Sequence, residues 1–196
     1  MAANTSVTLD DIQAAAERIG SGVYRSPCAH SVPLSLAAGC DIWCKLDYLQ
    51  RTGSFKERGA RNALLLMSED QRRAGVITAS AGNHALGLAY HGKLLGAPVT
   101  VVMPRSAAFI KVSTCRQLGA AVILHGQNFD QARKHARHLA GEKKLAYVPA
   151  FDDPAVIAGQ GTMGLEIAQQ TPDIDAIVVP IGGGGLIAGV GTAIKS

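Results

Sequence analysis

No stretch of about 18 consecutive apolar residues occurs in the chain, so it holds no segment that reads as a membrane-spanning helix. Met1 to Asp11 carries no cationic segment followed by an apolar run, so export is not expected either, and a cytoplasmic protein is. Cysteine is scarce. Cys28, Cys40, Cys44 and Cys115 form no C-x-x-C pair and no dense secreted framework, which reads as reduced thiols without structural zinc. The six histidines have no ligand spacing, so no metal is expected. Charge is low at 17% and aromatics lower at 5%. The one basic concentration is Arg133, Lys134, His135, Arg137, His138, Lys143 and Lys144, with no stacking aromatics among them. It reads as a solvated helix face, not a nucleic-acid surface. There is no repeat or low-complexity segment. Against these absences, 47% hydrophobic residues in 196 are enough to bury a substantial core.

The pattern of apolar residues is an alternation. Thr8 followed by Asp11, then Ile12, Ala16 and Ile19 with Gly20 beyond, predicts a capped opening helix. An irregular stretch through Pro27 and Pro33 follows, then a short strand from Asp41 to Leu46. Ser54 to Met67 has helical spacing and puts Lys56 in a first turn. Thereafter strands are predicted at Val76 to Ala79, Val99 to Met103, Ala121 to Leu124, Leu145 to Val148 and Ala176 to Pro180. Helices lie between and after them, at Asn83 to Leu95, Ala108 to Leu118, Phe129 to Ala140 and Pro154 to Gln169, with a last one ending at Ser196. Continuously apolar strands separated by helices predict an α/β fold with parallel sheet covered on both faces. Ending on strand, glycine turn and one helix, the chain reads as a fragment of something longer.

Three places hold groups suited to chemistry. Strand-to-helix turns in open parallel sheets lie at the carboxyl edge, where free N–H groups attract anions. The first such turn is Ser80-Ala81-Gly82-Asn83-His84, able to hold a carboxylate, or a ring hydroxyl through Asn83; an ordinary cap by Ser80 or Asn83 is the alternative. The second is Gly182-Gly183-Gly184-Gly185. Four glycines cost more backbone entropy than a plain turn needs, which favours an anion site; each charge-assisted bond to one phosphate contributes roughly 1.5 to 3 kcal/mol. No Gly-Lys-Ser/Thr follows, so it is not a Walker A loop. Gly183, Gly185 and Ala188 match G-x-G-x-x-A only weakly as a dinucleotide fingerprint, because the acidic residue about 20 positions later would fall beyond Ser196. The third is Lys56. Its amine, with a solution pKa of about 10.4, needs an environment that lowers it, or imine formation with an aldehyde cofactor, to act as nucleophile or base. A lysine imine, a phosphate cradle and the neighbouring ring of Phe55 together point to pyridoxal phosphate.

Four blocks in order carry a family resemblance over nearly the whole chain. They are Gly53-Ser54-Phe55-Lys56 with Arg58-Gly59-Ala60, Ser80-Ala81-Gly82-Asn83-His84-Ala85, Ile157-Ala158-Gly159-Gln160-Gly161-Thr162, and Pro180-Ile181-Gly182-Gly183-Gly184-Gly185-Leu186. With them the sequence resembles the fold-type II pyridoxal phosphate enzymes, and within these the threonine/serine dehydratase (ammonia-lyase) family. The resemblance implies a tryptophan synthase β-like fold of two open parallel sheets flanked by helices, with the C-terminal part of the large domain missing. The large domain would comprise residues 1–49 and 150–196, and the small domain 50–149. It implies pyridoxal 5'-phosphate as cofactor, with Lys56 as Schiff-base lysine and α-proton base, Phe55 on the ring, Asn83 on its hydroxyl and Gly182, Gly183, Gly184 and Gly185 on its phosphate. Ser80, Ala81, Gly82, Asn83 and His84 would hold the carboxylate of an amino-acid substrate, and the full-length protein would be a homo-oligomer.

The activity implied is elimination of the β-hydroxyl of L-threonine or L-serine, giving 2-oxobutanoate or pyruvate and ammonia. Serine racemase is the alternative enzyme, and a truncated, non-catalytic fragment the alternative from another class. Racemases of the family carry a serine where Ala81 stands, and Ala81 cannot carry a proton. Two departures stand out. Leu86 occupies a position where the family commonly has glutamine, and the family's serine near the pyridine nitrogen falls beyond Ser196.

Overall fold

A computed structural model of the chain describes residues 6–196; residues 1–5, which the sequence assigns to the large domain, lie outside the described residues. Helix α1, Leu9–Ile19, begins where expected, because Thr8 and Asp11 close a reciprocal capping box, and it buries Ile12, Ala15 and Ile19. The stretch read as irregular contains β1 Cys28–His30 and α2 Val32–Ala38, and β1 pairs antiparallel with β2 Trp43–Lys45, which lies within the strand expected from Asp41 to Leu46. Pro33 does not prevent a helix here. It sits in the first turn of α2, where its missing N–H costs no hydrogen bond. α3 Lys56–Leu66 follows, then α4 Glu69–Ala74, also unanticipated because it buries nothing and so shows no apolar period.

The alternation that follows was legible in the sequence to within about two residues. It runs β3 Val76–Ala79, α5 Asn83–Leu94, β4 Val99–Met103, α6 Phe109–Gln117, β5 Ala121–Leu124, α7 Phe129–Glu142, β6 Ala146–Tyr147, α8 Pro154–Gln170 and α9 Gly185–Lys195. Strands pair in parallel in the order β5-β4-β3-β6, with Val76 opposite Val99 and Ala146. Side chains alternate between two cores, as a pleated sheet requires. Val76, Val101 and Met103 face Leu88 and Ala89 of α5 and Val112 and Cys115 of α6. Ile77, Ala79 and Val102 face Ala132, Ala136 and Leu139 of α7.

One expected strand does not form. Ala176 to Pro180 has no strand beside it among the described residues, and without a ladder of interstrand hydrogen bonds it is not a strand. Val178 is 97% exposed there. One parallel sheet therefore forms among the described residues, not two.

Helix α8 is the hub. A methyl group on Gly159 would lie 2.6 Å from the Gly59 Cα on α3, and one on Gly189 of α9 would lie 2.6 Å from the Gly161 nitrogen. Backbones this close admit only glycine, which is why α8 can pack directly on both helices.

Candidate functional site

The strand order reverses between β3 and β6, and in open parallel sheets the crevice outside the carboxyl ends at such a reversal is the binding site. Two segments flank it here, residues 80–84 leaving β3 and residues 148–151 leaving β6. Lys56, the first residue of α3, reaches into it: its Nζ donates to the Ala150 carbonyl at 2.6 Å and lies 5.2 Å from the Phe55 ring centroid. Gly87 lets α3 approach α5 at this point, since a methyl group there would come within 3.3 Å of the Lys56 carbonyl.

Burial pushes the Lys56 amine below its ordinary value, the direction a nucleophile or base requires. His84 is 2% exposed, and burial lowers it to about 4; the bond to the Val148 carbonyl opposes that shift and the charge of Lys56 adds to it. His84 is therefore neutral at pH 7. Its Nε2 lies 3.2 Å from the Val148 carbonyl, which can only accept, so the proton is on Nε2 and Nδ1 is left as a buried acceptor with no partner among the described residues.

Behind Lys56, α3 is held by two buried polar sets. Arg58, fully buried, donates to Asp47 at 2.8 and 2.9 Å, to Glu166 at 2.7 and 2.9 Å and to Thr162 at 3.1 Å. Burial alone would lower the guanidinium, but these carboxylates raise it, so it stays charged. Lys45 donates to Glu166 at 2.5 Å, and burial still pushes its amine down. Glu57 accepts from the Thr52 backbone N–H and lies 3.3 Å from His91 Nε2 on α5, both side chains fully buried.

The first predicted turn is placed as expected, with a correction to its plain alternative. Ser80 Oγ accepts from the Gly82 N–H at 3.2 Å, but neither Ser80 nor Asn83 caps α5. Gly82 is the cap residue, and no side chain accepts from the first turn. Ala81 and Gly82 are half-buried. Asn83 opens the helix, and its Oδ1 accepts from Lys111 Nζ at 3.1 Å. The second turn behaves alike. Gly184, at φ +84°, is the cap residue of α9, again without a side-chain cap, and Gly185 is the first helical residue. Methyl groups on Gly182 and Gly184 would meet nothing within 4 Å, whereas one on Gly183 would enter the Phe151 ring at 2.1 Å.

Phe151 is the link. It follows Ala150, the acceptor of Lys56, and lies on Gly183 and Gly185, so the amine and the glycine turn border one region. Phe55 also packs toward α8 and α9, against the cluster of Met163, Ile167, Leu186 and Val190. Ala150 had no signal in the sequence because it acts through its backbone. Phe151 and Lys111 gave none either, whereas glycines inside apolar helices, Gly87 and Gly159, were a readable sign of close packing. A surface hollow of about 460 Å³ beside His30, Ser35 and Asp41 contains no predicted site residue. Among the described residues no cluster of three or more His, Cys, Asp or Glu is placed to hold a metal, and no helix is long and apolar enough to cross a membrane.

An uncapped helix start behind a glycine turn, a partly buried amine at a sheet switch point and an aromatic neighbour define a class: sites that hold an anionic cofactor and react through lysine. Residues 19–196 match the family model of the pyridoxal-phosphate dependent enzymes, and the chain belongs to that family. It is 48% identical over 190 residues to the L-threonine ammonia-lyase of Thermotoga maritima, spanning 97% of this chain and 47% of that protein. In three dimensions it is similar to the processed form of threonine deaminase isoform 2 from Solanum lycopersicum, with a TM-score of 0.89 and 44% identity over 95% of this chain and 51% of that one. It is similar also to maize serine racemase, with a TM-score of 0.94 and 35% identity over 97% of this chain and 58% of that one. The chain spans about half the length of the curated relatives it matches.

The residues present fit the family's cofactor. The uncapped start of α9 and the open space over Gly182 and Gly184 suit a phosphate, and the desolvated Lys56 amine suits an aldehyde.

Proposed function

We propose that this chain carries the lysine-bearing part of a threonine/serine ammonia-lyase, which converts L-threonine to 2-oxobutanoate and ammonia, or L-serine to pyruvate and ammonia. Pyridoxal phosphate, when bound, withdraws electrons from the substrate's α-carbon. Lys56 holds it through Nζ, Phe55 flanks its ring, Asn83 donates to its ring oxygen, and the N–H groups of Gly182, Gly183, Gly184 and Gly185 bind its phosphate. The substrate carboxylate docks at Ser80, Ala81, Gly82, Asn83 and His84, the uncapped start of α5, whose N–H groups favour negative charge.

With the cofactor bound, the free Lys56 Nζ would take the α-proton, the β-hydroxyl would take up a proton and leave as water, and a water would then replace the amino group to give the 2-oxo acid and ammonia. The observation that carries this reading is the partly buried amine at the β3/β6 switch point, 2.6 Å from the Ala150 carbonyl and lowered by burial. The family resemblance implies a serine in the racemases where Ala81 stands here. Ala81 has no proton to exchange on the opposite face, which favours elimination over inversion. Residues 50–149 form the smaller domain and the remainder belongs to the larger one, in a cytoplasmic homo-oligomer.

The test uses the complete product of the gene. With L-threonine and pyridoxal phosphate it releases 2-oxobutanoate, and borohydride reduction labels the peptide containing Lys56. Full turnover by Lys56→Ala, or a label on another peptide, refutes the assignment.

A further inference from the structure

Lys111, on α6, has no place in the roles above, yet its ammonium lies 3.1 Å from Asn83 Oδ1 at the start of α5. An ammonium has donors only, so the atom it faces must be the amide oxygen. The opposite amide orientation would set N–H against N–H. Among the described residues no carboxylate forms an ion pair with Lys111. Cys115, one turn further along α6, is no rival partner: burial pushes its thiol up to about 11, so it is uncharged at neutral pH. The Lys111 cation is thus committed to one neutral amide at the mouth of the crevice.

We infer that Lys111 is a positioning residue for Asn83, fixing its amide so that the NH2 group, not the oxygen, is presented to the cofactor's ring oxygen. This rests on the reading that Asn83 meets that oxygen. A ring oxygen bearing negative charge needs a donor, and an amide free to flip offers an acceptor in half its orientations. The ammonium also polarises the amide it touches, so the NH2 becomes a stronger donor; bonds in series reinforce one another. In the described structure the contact is open to water, and a ring seated over Asn83 dries it and strengthens both bonds.

The test measures pyridoxal phosphate affinity in the complete gene product, by titrating the visible absorbance of the lysine-bound cofactor at about 410 to 420 nm. Four proteins are compared: the parent, Asn83→Ala, Lys111→Met and the double variant, with thermal unfolding of each followed in the absence of cofactor. Lys111→Met weakens binding about tenfold, as loss of one charge-assisted hydrogen bond implies. The double variant binds no worse than Asn83→Ala, because the lysine acts through the amide. The pH dependence of the absorbance shifts in the same direction in both single variants, while unfolding temperatures stay at the parent value. Parental affinity in Lys111→Met beside weakened Asn83→Ala overturns the inference alone, as do penalties that multiply in the double variant. Parental affinity in Asn83→Ala overturns the contact of Asn83 with the ring, and the inference with it, while leaving Lys56 untouched.

Discussion

Replacing Gly159 by alanine adds one methyl group at the crossing of α8 and α3, and its neighbours leave it nowhere to go. It would lie 2.6 Å from the Gly59 Cα, 2.7 Å from the Arg58 carbonyl oxygen and 2.9 Å from the Arg58 carbonyl carbon. These are backbone atoms, which cannot rotate away as a side-chain tip can. Relief requires the helices to part by about 0.8 Å to reach ordinary contact. That separation lengthens the Arg58 to Glu166 bonds, 2.7 and 2.9 Å in the native packing, and the Gly59 N–H to Gln160 Oε1 bond at 3.2 Å. Overpacking costs ~1–3 kcal/mol and one weakened charge-assisted bond ~1.5–3 kcal/mol, against ~1 kcal/mol regained because alanine favours helix over glycine. The balance is a loss of about 3 kcal/mol.

Urea unfolding measures it, with Gly141→Ala as matched control. Gly141 also lies within a helix, α7, but a methyl group there meets nothing within 4 Å, so that variant gains up to ~1 kcal/mol. The two substitutions are chemically identical and should move the midpoint in opposite directions. A Gly159→Ala protein within about 0.5 kcal/mol of its parent would refute the close-packing argument. Because Lys56 opens the same helix, the parting also moves its amine relative to Ala150, and cofactor capture should fall with stability.

Arg58→Met leaves Asp47 and Glu166 without their central cation and is expected to cost ~3–5 kcal/mol in urea unfolding; a cost below about 1 kcal/mol would show the cluster to be solvated. Acid should destabilise the fold in two stages. His84 is lowered to about 4 from 6.5 by burial, so the unfolded chain binds its proton first and stability falls as pH drops from about 6.5 towards 4; His84→Gln should lose that stage. Burial alone would raise the carboxyls of Asp47 and Glu57. The Arg58, Ser26 and Gln50 bonds to Asp47, and for Glu57 the neighbouring His91 ring and the Thr52 bond, more than offset this and hold them below their ordinary values of 3.8 and 4.5. Their stabilisation is complete above those values and is lost as pH falls below them through the lower native values, so a midpoint unchanged between pH 5 and 3 would contradict the assignment.

Local chemistry made most elements legible in advance. The capping box at Thr8 and Asp11, the apolar runs of β3, β4 and β5, and the glycines after 181 each state their structure through residues adjacent in sequence. Where a local rule pointed the wrong way, a neighbour had overruled it or was missing. Pro33 suggested irregular chain but merely opened α2, and Ala176 to Pro180 has the composition of a strand with no strand beside it among the described residues. α4 was silent because an exposed helix needs no apolar face.

The same division holds for the site. Lys56, the turn from Ser80 to His84 and the glycine run announce themselves as an amine and two anion sockets, because donors, flexibility and charge are properties of residue types. The sequence also determined what the site cannot do at position 81, since Ala81 has no group to carry a proton. Only the tertiary structure decided that the amine is desolvated, that it rests on the backbone of Ala150, that His84 is neutral with its proton on Nε2, and that Lys111 meets Asn83. Those properties depend on groups 28 to 94 positions apart in the chain, brought together by the strand reversal between β3 and β6 and the packing of α3, α5 and α6. Burial, tautomer and amide orientation are set by whichever atoms lie within a few ångströms, and chain order does not specify those neighbours.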